Sequence, residues 1–405
     1  PGCPLGVDIP GFVRLLREGD AVAALDKIKK DNPFPALCGR VCTAPCESAC
    51  IFYDDGSPIA IRALERYAAD FGYKPNPKIK SIVNLNGKKV ALVGSGPSAM
   101  AAASVLLKDG YKVVMFEAAA QVGGLLRYGI PEFRLPQEVL DAQFDELLSQ
   151  GLEIHTNIFV GRMKPLEELT RSFDAVLLAL GASLPDFSSM EGENLAGVYY
   201  AEEFLIRLQI LSKENLLMSM GSLLRGKETV VIGRGYAALD AARMAVRLGQ
   251  EVQWVFRGLE EELGLSSHDL KKATEEGIHI HSPFEAIKIV GDIHGFVEGL
   301  QCQQLEIVET QEGLSLQPSK EDVKVFNAQT VILANGQKVN SFLATTVPQL
   351  KVNANGAFWV DEATSMTSLD KVFATASIVK GPVTIVEAIA SGKKVAKQIA
   401  SYLKP

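Results

Sequence analysis

Long apolar runs are missing from this sequence; none approaches the roughly 18–20 residues that a membrane-spanning helix needs. No charged-then-apolar leader opens the chain, which therefore reads as soluble and cytoplasmic. Basic runs are missing too. The 41 Lys and Arg against 48 Asp and Glu give a formal charge of −7, and no segment gathers the positive charge that nucleic-acid binding requires. Histidine is scarce: the five present form no metal-binding pair and no Ser–His–Asp set. Cysteine nearly disappears after residue 50, with Cys302 alone beyond it, where it reads as a small buried hydrophobe. A secreted disulfide scaffold would be short and would spread its cysteines, so that class is excluded.

What is present is a globular balance, 47% hydrophobic and 22% charged over 405 residues, a length that predicts two or three domains. Residues 1 to 80 read as helical and cysteine-bearing, with turn signals at Asn32–Pro33 and Asp54–Asp55–Gly56 and helical periodicity from Ile59 to Phe71. The Pro- and Lys-rich stretch Lys74–Lys80 reads as a linker. From Lys88 onward, short apolar runs alternate with amphipathic helices, the pattern of parallel sheets.

Two strand–glycine turn–helix units stand far apart in that region. The first runs from Lys89–Val93 into Gly94-Ser95-Gly96-Pro97-Ser98-Ala99, followed by a helix to Leu107 and a second strand, Lys112–Phe116, ending at Glu117. Gly94 permits the tight turn, Gly96 lets a pyrophosphate approach the backbone, and Ala99 lets helix and strand pack closely. The phosphates sit on the helix N-terminus, and Glu117 is placed to accept from a ribose diol. The second unit carries Gly233-Arg234-Gly235-Tyr236-Ala237-Ala238 between the strand Thr229–Ile232 and a helix to Leu248. Its second strand ends at Arg257 instead of an acid, which suits the 2′-phosphate of NADP. Two such units predict two dinucleotides, and a flavin with a nicotinamide is the chemically sensible pair. Between the units, the paired glycines Gly123-Gly124 allow a backbone close to a flat ring or a phosphate.

Cys38, Cys42, Cys46 and Cys50 recur at four-residue intervals, interrupted by Gly39 and Pro45. Pro45 argues against a continuous helix. The spacing matches neither the bacterial ferredoxin run nor a zinc ribbon, and by itself leaves a cluster, zinc and structural thiols all open.

Wider motifs narrow the choice. Cys3-Pro4-Leu5-Gly6-Val7-Asp8-Ile9-Pro10, Asn32-Pro33-Phe34-Pro35 and the run from Cys38 to Cys50 closely resemble the N-terminal region of the glutamate synthase small-subunit family, which has similar modules in dihydropyrimidine dehydrogenase and in flavin-bifurcating ferredoxin–NADP transhydrogenases. The resemblance continues through Gly123 to Pro136, Leu177 to Ala182, Asp240 to Arg243 and Gly381 to Ala388, nearly the whole chain.

That resemblance implies an α/β fold of two Rossmann-like dinucleotide-binding domains, glutathione-reductase-like with a discontinuous FAD domain, behind a helical iron–sulfur domain. The expected boundaries are 1–80 for the iron–sulfur domain, 81–222 and 336–405 for the two parts of the FAD domain, and 223–335 for the NAD(P) domain. It implies FAD contacts at Gly94, Gly96, Pro97, Ser98, Ala99, Glu117, Gly123, Gly124, Leu125, Arg127, Ile130, Gly181, Ser377, Pro382 and Thr384. It places NAD(P) at Gly233, Arg234, Gly235, Tyr236, Ala237, Arg257 and Gly336. A [4Fe–4S] cluster falls to Cys3, Cys42 and Cys46, with Glu65 as fourth ligand. Cys50 matches a ligand of a second cluster whose other cysteines lie upstream of Cys3 in the family, so one cluster is expected, with Cys50 available to it.

Three departures qualify the match. Ala376–Ser377 stands where the family closes its FAD site with Gly-Asp. Gly258 stands where many NADP-using relatives carry a second arginine, which leaves NAD against NADP open. Asn335 replaces an aliphatic residue before Gly336-Gln337, for no physical reason we can give. The expected activity is electron transfer between NAD(P)H, FAD and a cluster, to or from a partner subunit carrying the terminal catalyst, in a hetero-oligomer. Thr384 and Glu387 are the flavin-proximal candidates; Glu387 reads as a hydrogen-bonding residue before a proton carrier. The competing reading is a catalytically silent scaffold or nucleotide-sensing subunit. A flavin disulfide reductase is disfavoured, because no C-x-x-C or C-x4-C pair lies beside the first glycine turn.

Overall fold

The computed structural model describes residues 2–53, 58–73, 86–213, 224–310, 313–319 and 323–404. The turn signal at Asp54–Asp55–Gly56 and the linker Lys74–Lys80 lie outside the described residues.

Five helices open the chain: α1 (Ile9–Arg17), α2 (Ala21–Lys29), α3 (Pro35–Val41), α4 (Pro45–Ser48) and α5 (Ile61–Gly72). Asp8 and Asp20 accept hydrogen bonds from the amides of Gly11 and Ala23, capping α1 and α2. Proline opens α3 and α4, where its missing N–H goes unneeded. Phe12, Ala24, Ile28, Ile61 and Ala68 form the core of this segment.

A first parallel sheet follows, from β1 (Lys89–Val93), α6 (Pro97–Lys108), β2 (Lys112–Phe116), α7 (Leu125–Tyr128), α8 (Gln137–Ser149), β3 (Glu153–His155), α9 (Leu166–Ser172) and β4 (Ala175–Leu178). After the short β5 (Leu184–Pro185), the chain builds a second from β6 (Val198–Tyr200), α10 (Ala201–Lys213), β7 (Glu228–Gly233), α11 (Gly235–Arg247), β8 (Glu251–Val255), α12 (Ser267–Glu275) and β9 (His279–His281). An antiparallel group intervenes: β10 (Phe284–Gly291), β11 (Val297–Thr310), β12 (Gly313–Pro318) and β13 (Lys324–Asn327). The second sheet is then completed by β14 (Thr330–Ala334). The chain ends with β15 (Gln337–Lys338), α13 (Phe342–Thr346), β16 (Val372–Ala374), α14 (Ser377–Lys380) and α15 (Ile385–Leu403).

Both five-stranded sheets are parallel and share one order. The first runs β16-β4-β1-β2-β3 and the second β6-β14-β7-β8-β9. In each, the strand leading into the glycine turn sits third, where the direction of winding reverses. Strands β1, β4 and β14 are buried along nearly their whole length, which is why they read as unbroken apolar runs without alternation.

Two compact units divide the described residues: one takes those up to 127, 132–184 and from 337 onward, the other 128–131 and 185–336. The seam lies at 184/185, not at the expected 222/223. Strand β6 is the reason: Val198–Tyr200 pairs in parallel with β14, so its segment joins the second sheet. The helical segment falls in the same unit as the first sheet. Lys29 on α2 pairs with Glu146 on α8 at 3.0 Å, and Lys393 on α15 donates to the Asp31 carbonyl. Within the second unit, where the chain arrives and where it leaves lie side by side, the Asp186 amide donating to the Gly336 carbonyl at 2.9 Å.

Candidate functional site

The two glycine turns are built alike. Gly94 (φ +101) ends β1, and a Cβ placed on it would lie 2.4 Å from the Ala179 carbonyl oxygen, just past β4. Gly233 (φ +125) ends β7, and a Cβ there would lie 2.2 Å from the carbonyl oxygen of Ala334, which ends β14. Both positions therefore exclude every side chain, at the crevice outside the carboxyl ends of the strands where open α/β sheets bind ligands.

Each turn opens onto a helix whose N-terminus is free of side-chain caps, at Gly96 for α6 and at Arg234 for α11. Those first-turn amides are available to an anion. A Cβ on Gly96 would meet nothing within 4 Å, so the backbone there faces open space. This geometry fits the pyrophosphate of a dinucleotide in both units.

The first turn is held by a polar network. Ser95 donates to Glu117 and its hydroxyl accepts from the Gly123 amide at 2.8 Å. The other Glu117 oxygen accepts from the Ala119 amide at 2.8 Å. Turn, second strand and the Gly123–Gly124 loop are thus tied at one carboxylate. Pro97 and Ser98 begin α6, with Ala99 fully buried behind them. Arg127 is only 4% exposed and fully committed inward: it donates to the Val122 carbonyl at 2.7 Å, to Gln137 at 2.9 Å, and pairs with Asp141. Its structural work is to staple the glycine loop to α8. Leu125 is exposed at the start of α7, and Gly181 follows β4 with φ +73. Ile130 belongs to the second unit, where its carbonyl accepts from Gln209.

At the C-terminal end of the first sheet, Ala376 follows β16 with φ +55 and ψ −129, a conformation suited to glycine. Its amide donates to Ser391 at 3.1 Å, and Thr375 shares a hydrogen bond with Ser391 at 2.8 Å. Ser377 opens α14, and Pro382 is exposed after Gly381. Thr384 caps α15 in a reciprocal box with Glu387, whose carboxylate accepts from the Thr384 amide at 2.8 Å and hydroxyl at 2.7 Å. Those bonds hold the Glu387 carboxyl below its ordinary range, so it stays ionised as a cap.

In the second unit, the Trp254 indole donates to the Gly233 carbonyl at 2.9 Å, bracing the turn from β8. Tyr236 donates to Asp269 at 2.9 Å, and Ala237 follows it on α11. Gly235 has φ +75, and Gly336 stands at the end of the second unit's chain segment. Arg257 lies 3.6 Å from Glu285 with an exposed side chain, and the next turn carries Glu260, Glu261 and Glu262.

The cysteines gather between α3, α4 and α5. A left-handed Ala44 (φ 54) separates α3 from α4, so Cys38 and Cys42 reach the site from one helix and Cys46 from the next. Cys38 is fully buried, and burial with the charges of Glu65 and Cys42 pushes its thiol well up. Burial first, partly offset by a hydrogen bond from Ala44, takes Cys42 to about 11. Burial, then Cys42 and Cys3, takes Cys46 to about 12. Glu65 is raised to about 7 by burial, opposed by a 2.8 Å hydrogen bond from Asn32. Cys3, Cys38, Cys42, Cys46 and Glu65 are thus electrostatic neighbours in a pocket that disfavours free thiolates. No group of three such donors is placed to hold a single metal ion among the described residues; thiols with one carboxyl are nonetheless the donor types that iron–sulfur chemistry uses. Cys50 lies past α4, its carbonyl accepting from the Tyr53 amide.

Sequence reasoning missed the supporting residues. Ser95, Trp254, Asn32 and the inward role of Arg127 appear only once side chains are placed. Cys302 is fully buried, and burial pushes its thiol up to about 12.

Comparison with known proteins agrees with this layout. Residues 1–76 match the family model of dihydropyrimidine dehydrogenase domain II with its 4Fe-4S cluster, and residues 88–392 match that of the pyridine nucleotide-disulphide oxidoreductases. Glutamate synthase [NADPH] small chain of Escherichia coli is 31% identical over 99% of this chain and 88% of its own length. The chain belongs to the glutamate synthase small-chain family. It is an oxidoreductase with the FAD and NAD(P) fold of that family and its iron–sulfur domain. A second relative, the NADP(+)-dependent formate dehydrogenase subunit beta of Moorella thermoacetica, is 30% identical over 99% of this chain but only 59% of its own length. Among solved structures, FprA from Mycobacterium tuberculosis (TM-score 0.63, 20% identity) covers 78% of this chain and 85% of its own. Thioredoxin reductase of T. acidophilum (0.55, 18%) covers 78% and 99%; these two share the fold. No helix among the described residues is long and apolar enough to cross a membrane.

Proposed function

We propose that the chain is an electron-transfer subunit, passing electrons between NAD(P)H and a partner redox subunit through FAD and one [4Fe–4S] cluster. The observation that carries the reading is the paired geometry of Gly94 against Ala179 and Gly233 against Ala334, one dinucleotide cradle in each unit, with a buried thiol pocket in the same unit as the first. A nicotinamide and a flavin held at the two glycine turns would supply hydride chemistry, and a cluster held by the thiol pocket would supply one-electron transfer.

The chain's own residues bind and orient. The free amides of α6 and α11 take the two pyrophosphates, and Glu117 keeps acceptor capacity for a ribose hydroxyl while tied to Ser95. Cys3, Cys42 and Cys46 with Glu65 are the ligand set we assign to the cluster, and Asn32 aims the Glu65 carboxylate. Glu387 moves no proton in this scheme; the amides of the first turn of α15 that the Thr384–Glu387 box leaves uncapped would favour negative charge on a flavin bound there. Hydride transfer needs positioning more than acid–base groups, in keeping with this set.

One observation favours the scaffold reading: the strained Ala376, followed by Ser377, where the family resemblance expects the flavin site to close. An absorption spectrum of anaerobically purified protein, followed by NADH and NADPH in separate portions, decides between them. We expect flavin bands with a broad cluster shoulder, bleached by at least one nucleotide. Colourless protein, or flavin that neither nucleotide reduces, sinks the electron-transfer reading.

A further inference from the structure

The long C-terminal helix α15 has two faces. Val386, Ile389, Gly392, Val395, Ala396 and Ile399 are buried, and Gly392 comes so close to α6 that a Cβ would lie 2.1 Å from the Ser98 carbonyl oxygen. Lys394 and Lys397 on the exposed side, with the half-buried Lys393 at the edge of the packed face, line an open groove of about 440 Å³. The other wall is Pro4 and Leu5, the tip of a turn closed by the Gly6 amide donating to the Cys3 carbonyl at 3.0 Å.

Lys393 is anchored by its bond to the Asp31 carbonyl. Burial and the nearby charges of Lys397 and Lys108 hold its amine below the usual lysine range, with Asp31 opposing them. Lys394 and Lys397 are exposed. A chain with a net charge of −7 therefore concentrates positive charge beside the Cys3 turn. Salt leaves a charge unscreened over roughly 8–10 Å, the range at which this group of lysines can act on a partner.

We propose that this lysine face is the docking site for the acidic surface of an electron-carrying protein, which it brings against the Cys3 turn of the iron–sulfur domain. The inference rests on the electron-transfer reading and adds to it the chemistry and the place of the partner. Complementary charge of this kind sets orientation and association rate, and one-electron exchange requires the carrier to approach the cluster side of the molecule. Docking itself makes and breaks no bond.

The test measures binding. Cofactor-loaded full chain is titrated with a small acidic bacterial ferredoxin by calorimetry, as wild type, as Lys394→Glu/Lys397→Glu, and as Lys271→Glu/Lys272→Glu. The last pair carries the same charge change on α12 of the other unit. We expect the α15 pair to weaken binding at least tenfold and the α12 pair to change it less than threefold, with flavin content and bleaching unaltered in both. Equal weakening by both pairs would show that only net charge matters and would overturn the proposal. So would ferredoxin that does not bind wild type, or lysines that bind 10 mM inorganic phosphate while ignoring ferredoxin. In each case, bleaching of the flavin by NADH or NADPH reports separately on the electron-transfer reading.

Discussion

Single residues carry the departures from the family pattern, and Ala376 is the clearest. Its φ of +55 belongs to glycine, and a side chain held in such a region costs on the order of 1–3 kcal/mol. Ala376→Gly relieves that strain against the added backbone freedom of glycine. The expected net gain is about 1 kcal/mol, read as a higher urea midpoint. An unchanged or lower midpoint would show that the surrounding bonds to Ser391 already absorb the strain. Sequence alone shows that alanine stands at this position, but not that the backbone keeps the glycine conformation. The same limit hid Arg127. The family resemblance puts Arg127 among the flavin contacts, and only the placed side chain shows that it also braces the loop through Val122, Gln137 and Asp141.

Among elements, α11 and α12 are joined by an ion-pair group that no motif announced. Glu276, just after α12, receives Arg243 at its two oxygens and Arg247 beside it, at distances from 2.5 to 3.0 Å. These guanidinium groups lower its carboxyl from 4.5 to about 2. A carboxyl with a depressed folded value stabilises the fold fully above its unfolded value, and the gain disappears as pH falls through the folded one. Glu276→Gln should thus cost about 2 kcal/mol, allowing for partial exposure, at any pH from about 5.5 to 8. The gap between variant and wild type should close between pH 4.5 and 2, followed by thermal melts across that range. A gap independent of pH would assign the loss to packing. The glycine turns and the apolar parallel strands were legible because their constraints are local: a tight turn needs glycine and a two-sided strand needs an unbroken apolar run. Strand β6 was not, because three residues without alternation acquire meaning only by pairing with β14.

At the scale of the whole molecule, the thiol pocket and the glycine cradles rest on different cores. The helical segment packs around Phe12 and Ile28, the first sheet around Ala91, Val176 and Phe358. Cys42→Ser should therefore abolish the cluster shoulder and the bound iron while flavin content and its bleaching by NAD(P)H persist, checked by iron analysis and anaerobic spectra. Loss of flavin together with iron would mean that the helical segment is needed to shape the first cradle. The seam between the units bears on the history of such chains. Because the second unit is strung between β4 and β16, with its two ends bonded at Asp186 and Gly336, it has the form of a cassette. A gene encoding the flanking segments joined by a short turn would still specify every strand of the first sheet, in order. Recombination at those two positions could exchange the nucleotide specificity of the protein without redesigning its flavin fold.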